Sequence, residues 1–131
     1  KVVHVYSPNL VMVQQRFRNL FELPQKYFYA LAAKFEISEN TTVIVYVSAN
    51  INDHNRADKK FYKNTILESA NLFKTEVNSE IDIRSGELKK LFINLLGFFI
   101  KKEDEHVDLT CVSSIYDVSN AKNPFTKMCR A

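Results

Sequence analysis

The sequence predicts an all-α protein, a single-domain bundle of about five helices over residues 1–131, and three observations carry that prediction. Glycine and proline are scarce, two and three in 131 residues, whereas the tight turns of a β-sandwich or barrel use both heavily. Apolar residues recur at spacings of three and four along most of the chain, the signature of an amphipathic helix. Only one segment, Thr42 to Val47, reads convincingly as a strand, and a lone strand has no partner to pair with.

Taken in order, Ser7 and Pro8 open the first helix as cap and first-turn residue. Leu10, Val13, Phe17, Leu20 and Phe21 form its apolar face. Leu23-Pro24 ends it and starts a second helix, with Tyr27, Phe28, Leu31, Ala32 and Phe35 as its stripe. That helix stops near Ser38, where Glu39 and Asn40 begin a turn. Thr42 to Val47 reads in two ways: as a strand, because Val43, Ile44, Val45 and Val47 are β-branched, or as a buried helix running past Ile51. From Asp53 to about Val77 the pattern is helical again, with Tyr62, Ile66, Ala70, Phe73 and Val77 on one face. Asn78 to Asp82 is a polar connection. Ser85, Gly86 and Glu87 then lead into the most apolar helix, over residues 88–100. Leu88, Leu91, Phe92, Leu95, Leu96 and Phe99 make a broad stripe, widened by Ile93, Phe98 and Ile100. A charged turn from Lys101 to Glu105 and a short element over Leu109 to Val118 precede a tail with Pro124.

Composition narrows the function. The chain is 46% hydrophobic and 25% charged, the balance of a globular fold. Its net charge of +3 comes from mixed charges, so nucleic acid is not an expected partner. No apolar stretch reaches the roughly 18 residues of a membrane span. With Lys1 first and no signal peptide in view, the chain reads as a mature product or as a segment. Cys111 and Cys129 permit a disulfide that ties down the C-terminal tail. Asn40-Thr41-Thr42 is the one N-glycosylation sequon and fits an exposed turn of a secreted protein.

Catalytic patterns are missing. His4, His54 and His106 are far apart, and neither His-Glu-x-x-His nor Cys-x-x-Cys spacing occurs. A Cys–His pair using Cys111 or Cys129 competes with the disulfide, and no serine stands in a nucleophile elbow. No enzyme activity, metal or cofactor is expected. Lys59, Lys60 and Lys63 beside Tyr62 read as a solvated face or a small phosphate patch. The candidate membrane- or partner-binding site is the lysine-bounded apolar stretch, with Lys89, Lys90, Phe92, Phe98, Phe99, Lys101 and Lys102 as its members. Such a helix either lies in a bilayer interface with lysines on anionic headgroups, or runs through the core and surfaces at its lysines.

The opening Val3, His4, Val5, Tyr6, Ser7 and Pro8 resembles the start of the abalone sperm lysin family. Asp82, Ile83, Arg84, Ser85, Gly86 and Glu87, followed by the apolar stretch ending Phe98, Phe99, Ile100, Lys101, Lys102, Glu103 and Asp104, is similar to that family's late helix. The matched patches cover about a third of the chain. Lysin itself is strongly basic and carries exposed tryptophans, whereas this chain has none, so the resemblance leans toward the acrosomal membrane-fusion paralogue. It implies a bundle of about five helices and a secreted, acrosomal fertilization protein acting non-enzymatically in gamete recognition or sperm–egg membrane fusion. Its partners would be the egg membrane, an egg-coat protein, anionic lipid or a second copy in a homodimer. A different class remains open beside it: a helical cytokine-like ligand for a protein receptor. An α+β enzyme built around Thr42–Val47 is a third.

Overall fold

The computed structural model describes residues 1–17, 25–58, 62–118 and 125–130. It is a β protein, which overturns the all-α bundle. In chain order come β1 (Val2–Ser7), β2 (Leu10–Phe17), β3 (Lys26–Ser38), β4 (Thr41–Val47), β5 (Asn50–Asn52), a 3-10 turn η1 (Glu68–Leu72), β6 (Lys74–Glu76), α1 (Ile81–Arg84), β7 (Lys89–Lys102), β8 (Val107–Asp117) and β9 (Phe125–Arg130). Seven of the strands form one sheet in the order β1-β2-β3-β4-β7-β8-β9, and β5 pairs with β6 in a small parallel ladder. Among the described residues no helix is long and apolar enough to cross a membrane.

Each overturned helix has a physical reason. Ser7-Pro8 is a hairpin turn: the Asn9 N–H donates to Ser7 Oγ at 3.3 Å, and proline suits the second position of a turn as well as the first of a helix. The Glu39–Asn40 turn repeats the device, with the Asn40 N–H donating to Ser38 Oγ at 3.3 Å. Serine and asparagine, with proline in the first, therefore make these two turns without glycine. Leu10–Phe17 and Lys26–Ser38 pair in continuous antiparallel register from Leu10↔Ala33 to Phe17↔Lys26. Tyr27 to Ala32 is buried on both faces of the sheet. A strand covered on both faces shows no polar alternation, and its alanines and leucines mimic a helix. Thr42–Val47 is a strand whose partners, β3 and β7, are the two segments read as helices.

From Asp53 to Val77 the described residues form no amphipathic helix, because asparagine and aspartate side chains capture the backbone instead. The His54 N–H donates to Asn52 Oδ1 (3.0 Å), Asn55 N–H to Asp53 Oδ1 (3.2 Å) and Ala57 N–H to Asn55 Oδ1 (2.8 Å). His54 takes a left-handed φ of 61° inside this run. The expected stripe residues Leu20 and Phe21, the break at Leu23-Pro24, the lysines Lys59 and Lys60, and the tail at Pro124 lie outside the described residues.

The apolar stretch 88–100 lies in the long strand β7 from Lys89 onward and is not an amphipathic helix. A bulge at Asn94 shifts its register between Ile93↔Ile115 and Leu95↔Ser114. Side-chain parity reverses there. Leu91 and Ile93 join Phe28 and Ala30 on one face, while Leu95 joins Leu31 and Val47 on the other.

The described residues of 48–58 and 62–88 lie outside the main sheet and fold back over one end of it. Ala49, Ile51, Ala70, Val77, Ile83 and Leu88 from this excursion pack on Met12, Tyr29, Leu31 and Val47 to form the larger core. Where β4 ends, its neighbours β3 and β7 close up and pair directly in parallel, Lys26↔Lys89 and Tyr27↔Lys90. Two strands separated by a third are about 10 Å apart and must converge to about 4.8 Å. Ser48 sits in this fork, 3% exposed. Its hydroxyl donates to the Tyr29 carbonyl at 2.8 Å and accepts the Ile93 N–H at 2.9 Å, so one side chain joins both strands.

A polar strap holds α1 to β2. Arg16 grips Asp82 with two bonds of 2.6 and 3.1 Å, while Gln14 donates to Glu80 at 2.8 Å and to the Tyr29 hydroxyl at 2.7 Å. Gly86 ends α1 at φ +83°, and a Cβ there would stand 3.1 Å from the Ala57 Cβ.

Candidate functional site

The excursion covers only part of the sheet face it packs on. Beyond it lies an open groove of about 530 Å³. Its floor is the sheet: Leu10 from β2, Leu31, Ala33 and Phe35 from β3, Val45 and Val47 from β4, and Leu95 from β7. These residues share one face because the pairings Leu10↔Ala33 and Ala33↔Val45 place them side by side. Its wall is the stretch through Ile66, Leu67, Ser69, Ala70 and Phe73. Eleven of the twelve lining residues are apolar, Ser69 being the twelfth, and no charged side chain lines it. Ile66 and Leu67 stand 52% and 43% exposed and Phe35 55%, so the lip of the groove presents apolar surface to water.

Asparagines hold the wall. Asn64 is 1% exposed. Its Nδ2 donates to the carbonyls of Asn94 (2.8 Å) and Ser48 (3.3 Å), and its Oδ1 accepts the Ile66 and Leu67 N–H groups at 3.0 and 2.8 Å. Asn94, freed from regular pairing by the bulge, accepts the Thr65 N–H at 2.7 Å and donates to Thr65 Oγ1 at 2.8 Å. Asn71 closes the loop by accepting the Asn64 N–H and donating to the Asn64 carbonyl, at 2.7 and 2.9 Å. The wall is thus anchored to β7 by buried, satisfied amides, which favours one fixed arrangement over many. A polar residue inside Phe92-Ile93-Asn94-Leu95-Leu96 was the signal that could have found it: a lone amide in an apolar run needs buried partners.

The candidate residues of the sequence do not come together. Lys89 and Lys101 are twelve residues apart on one strand, which places them about 40 Å apart rather than on one short helix. Lys90 is a partly buried ion: its Nζ lies 2.8 Å from Asp58 Oδ2 and 3.4 Å from Asp53 Oδ1. Asp53 also accepts the Tyr27 hydroxyl at 2.6 Å, and the Ser79 hydroxyl donates to the Asp53 carbonyl. Burial first, then the hydrogen bond to Asp53, push the Tyr27 phenol well above its ordinary value. This cluster closes the covered end of the sheet. Phe92 is 5% exposed and meets the rings of Tyr62 and Tyr116. Phe98 packs edge-on to Tyr46 with centroids 6.2 Å apart. Phe99 is 44% exposed, and Lys101 and Lys102 are exposed at the far end of β7. Lys63 is exposed, and Tyr62 donates to the Val118 carbonyl at 2.9 Å.

Cys111 is disulfide-bonded. The chain's other cysteine, Cys129, stands opposite it in the β8–β9 register, so the tail is tied down as a strand. Among the described residues no group of histidine, cysteine, aspartate and glutamate could hold a metal ion. No family model, curated protein or solved structure matches this chain.

Proposed function

We propose that this chain is a secreted, non-enzymatic binding protein whose groove takes the aliphatic tail of a small amphiphile such as a long-chain fatty acid. The groove carries the reading. Its volume of about 530 Å³ falls in the range of ligand pockets, about 300–1,000 Å³. Its lining offers apolar surface and a single hydroxyl. A polar or flat heterocyclic ligand would find no amide or charge to orient it, whereas an alkyl tail needs none, and its polar head stays in water at the open mouth. The lining also contains no acid, base or thiol, so the geometry supports binding rather than bond cleavage. The disulfide supports an oxidising compartment.

Fertilization as the biological setting rests on the resemblance to lysins, whose helical bundle this chain does not share. Among the described residues no amphipathic helix is present to insert into lipid. The receptor-ligand reading gains no particular surface from the geometry.

The test is titration of the folded protein with a long-chain fatty acid carrying a fluorophore. Saturable one-site binding is expected, weakened at least tenfold by Ala33→Phe, which fills the groove, and by Val45→Asp, which charges its floor. Tenfold corresponds to about 1.4 kcal/mol. Absence of saturable binding, or equal binding by both folded variants, would sink the proposal.

A further inference from the structure

The one sequon of the chain falls where a folded protein can carry a sugar. Asn40 lies in the exposed Glu39–Asn40 turn joining β3 to β4. Its backbone is occupied: the N–H donates to Ser38 Oγ, and the carbonyl accepts the Lys102 N–H at 2.7 Å. Among the described residues its carboxamide makes no hydrogen bond, unlike those of Asn55, Asn64, Asn71 and Asn94, all of which are spent on the fold. Those structural asparagines lack a hydroxyl residue two positions on, whereas Asn40 has Thr42. Independently, the Cys111 disulfide points to the oxidising secretory lumen, the compartment where asparagine glycosylation takes place.

We propose that Asn40 is an N-glycosylation site. The donor is a lipid-linked oligosaccharide diphosphate. The Asn40 amide nitrogen forms a bond to the anomeric carbon and loses one proton, and the bond from that carbon to the diphosphate oxygen breaks, releasing the lipid diphosphate. The modification acts on the chain before the hairpin closes, and the folded turn leaves the sugar in solvent. The position has a consequence for the surface. Phe35, Ile37 and Phe99 are 55%, 65% and 44% exposed at this end of the sheet, and a hydrated glycan on the adjoining turn would keep that apolar end from self-association.

The experiment is peptide mapping of the full chain from its native source, before and after an amidase that releases N-linked glycans. A glycan mass on the Asn40 peptide, with conversion of that asparagine to aspartate on release, is expected. In a eukaryotic secretory host, Asn40→Gln and Thr42→Ala should each abolish the mass difference, and Thr42→Ser, which keeps the hydroxyl, should retain it. Unmodified Asn40 in protein whose Cys111 disulfide has formed overturns the proposal, as does a glycan that survives Thr42→Ala.

Discussion

Replacing Ser48 by alanine removes one oxygen and tests how the fork between β3 and β7 is held. The hydroxyl makes two bonds of 2.8 and 2.9 Å to backbone groups of different strands, in a site 3% exposed. Alanine leaves the Tyr29 carbonyl and the Ile93 N–H buried without that partner, at about 1–3 kcal/mol for each unsatisfied group. The Ser48 N–H to Ile93 carbonyl bond at 2.6 Å persists in the variant, so the lower part of the summed range applies, about 2–4 kcal/mol. Against a total stability on the order of 10 kcal/mol this is a large fraction. With a urea slope of about 2 kcal/mol/M, the unfolding midpoint should fall by about 1–2 M with the slope unchanged. Equilibrium urea unfolding followed by tyrosine fluorescence and far-ultraviolet circular dichroism measures it. Ser69→Ala, on an exposed stretch of the groove wall, is the control and should move stability by less than about 0.5 kcal/mol. A Ser48→Ala variant as stable as that control would refute the view that this hydroxyl joins the two strands.

Two further outcomes follow from named contacts. Glu80 has its carboxyl held at about 2, below its ordinary 4.5, first by the hydrogen bond from Lys1 and then by that from Gln14, and Arg16 lowers Asp82. A depressed carboxylate is protonated first in the unfolded chain, so this contribution is complete above about pH 4.5 and is lost as pH falls toward 2. Stability measured by denaturant unfolding between pH 7 and 2 should therefore fall along an acid limb, and Glu80→Gln should make that limb shallower; both carboxylates are at least one-third exposed, so the effect is modest. The two phenylalanines of β7 should separate cleanly: Phe92→Ala, at 5% exposure, should cost about 3–5 kcal/mol. Phe99→Ser, at 44%, should cost under about 1 kcal/mol by the same unfolding assay. Equal losses at the two positions would contradict the burial pattern.

Much of what the sequence says about residues survives, while what it says about periodicity does not. Leu10, Leu31, Phe35, Ile66, Ala70, Phe73 and Leu95 stand out as apolar stripe members in the sequence, and they do meet, as the two sides of one groove. The helical spacing of those in β3 and β7 arises because Tyr27–Ala32 of β3 is covered on both faces and because the Asn94 bulge breaks the period of two in β7. A strand whose parity reverses halfway places apolar residues at spacings of one, three and four, which a helical template accepts. Thr42–Val47 carries its strand character in composition, whereas its partners β3 and β7 show helix-like apolar spacing in the sequence. The buried amides were legible as an oddity, a lone Asn94 among isoleucine and leucine. Their partners lie some thirty residues away in sequence, and local pattern carries no record of them.

The groove's two sides are written in separate stretches of the chain, and this bears on how such a protein can vary. Its floor belongs to strands fixed by pairing on both sides, where a one-residue slip would turn apolar side chains to the wrong face. Its wall belongs to the excursion that departs at the fork and rejoins at Lys89, whose described residues take no part in the main sheet. Lengthening or shortening that wall leaves the register of the sheet untouched. Descendants of this fold can therefore change what the groove admits through insertions and deletions in one loop, while the β framework stays under its own, stricter selection.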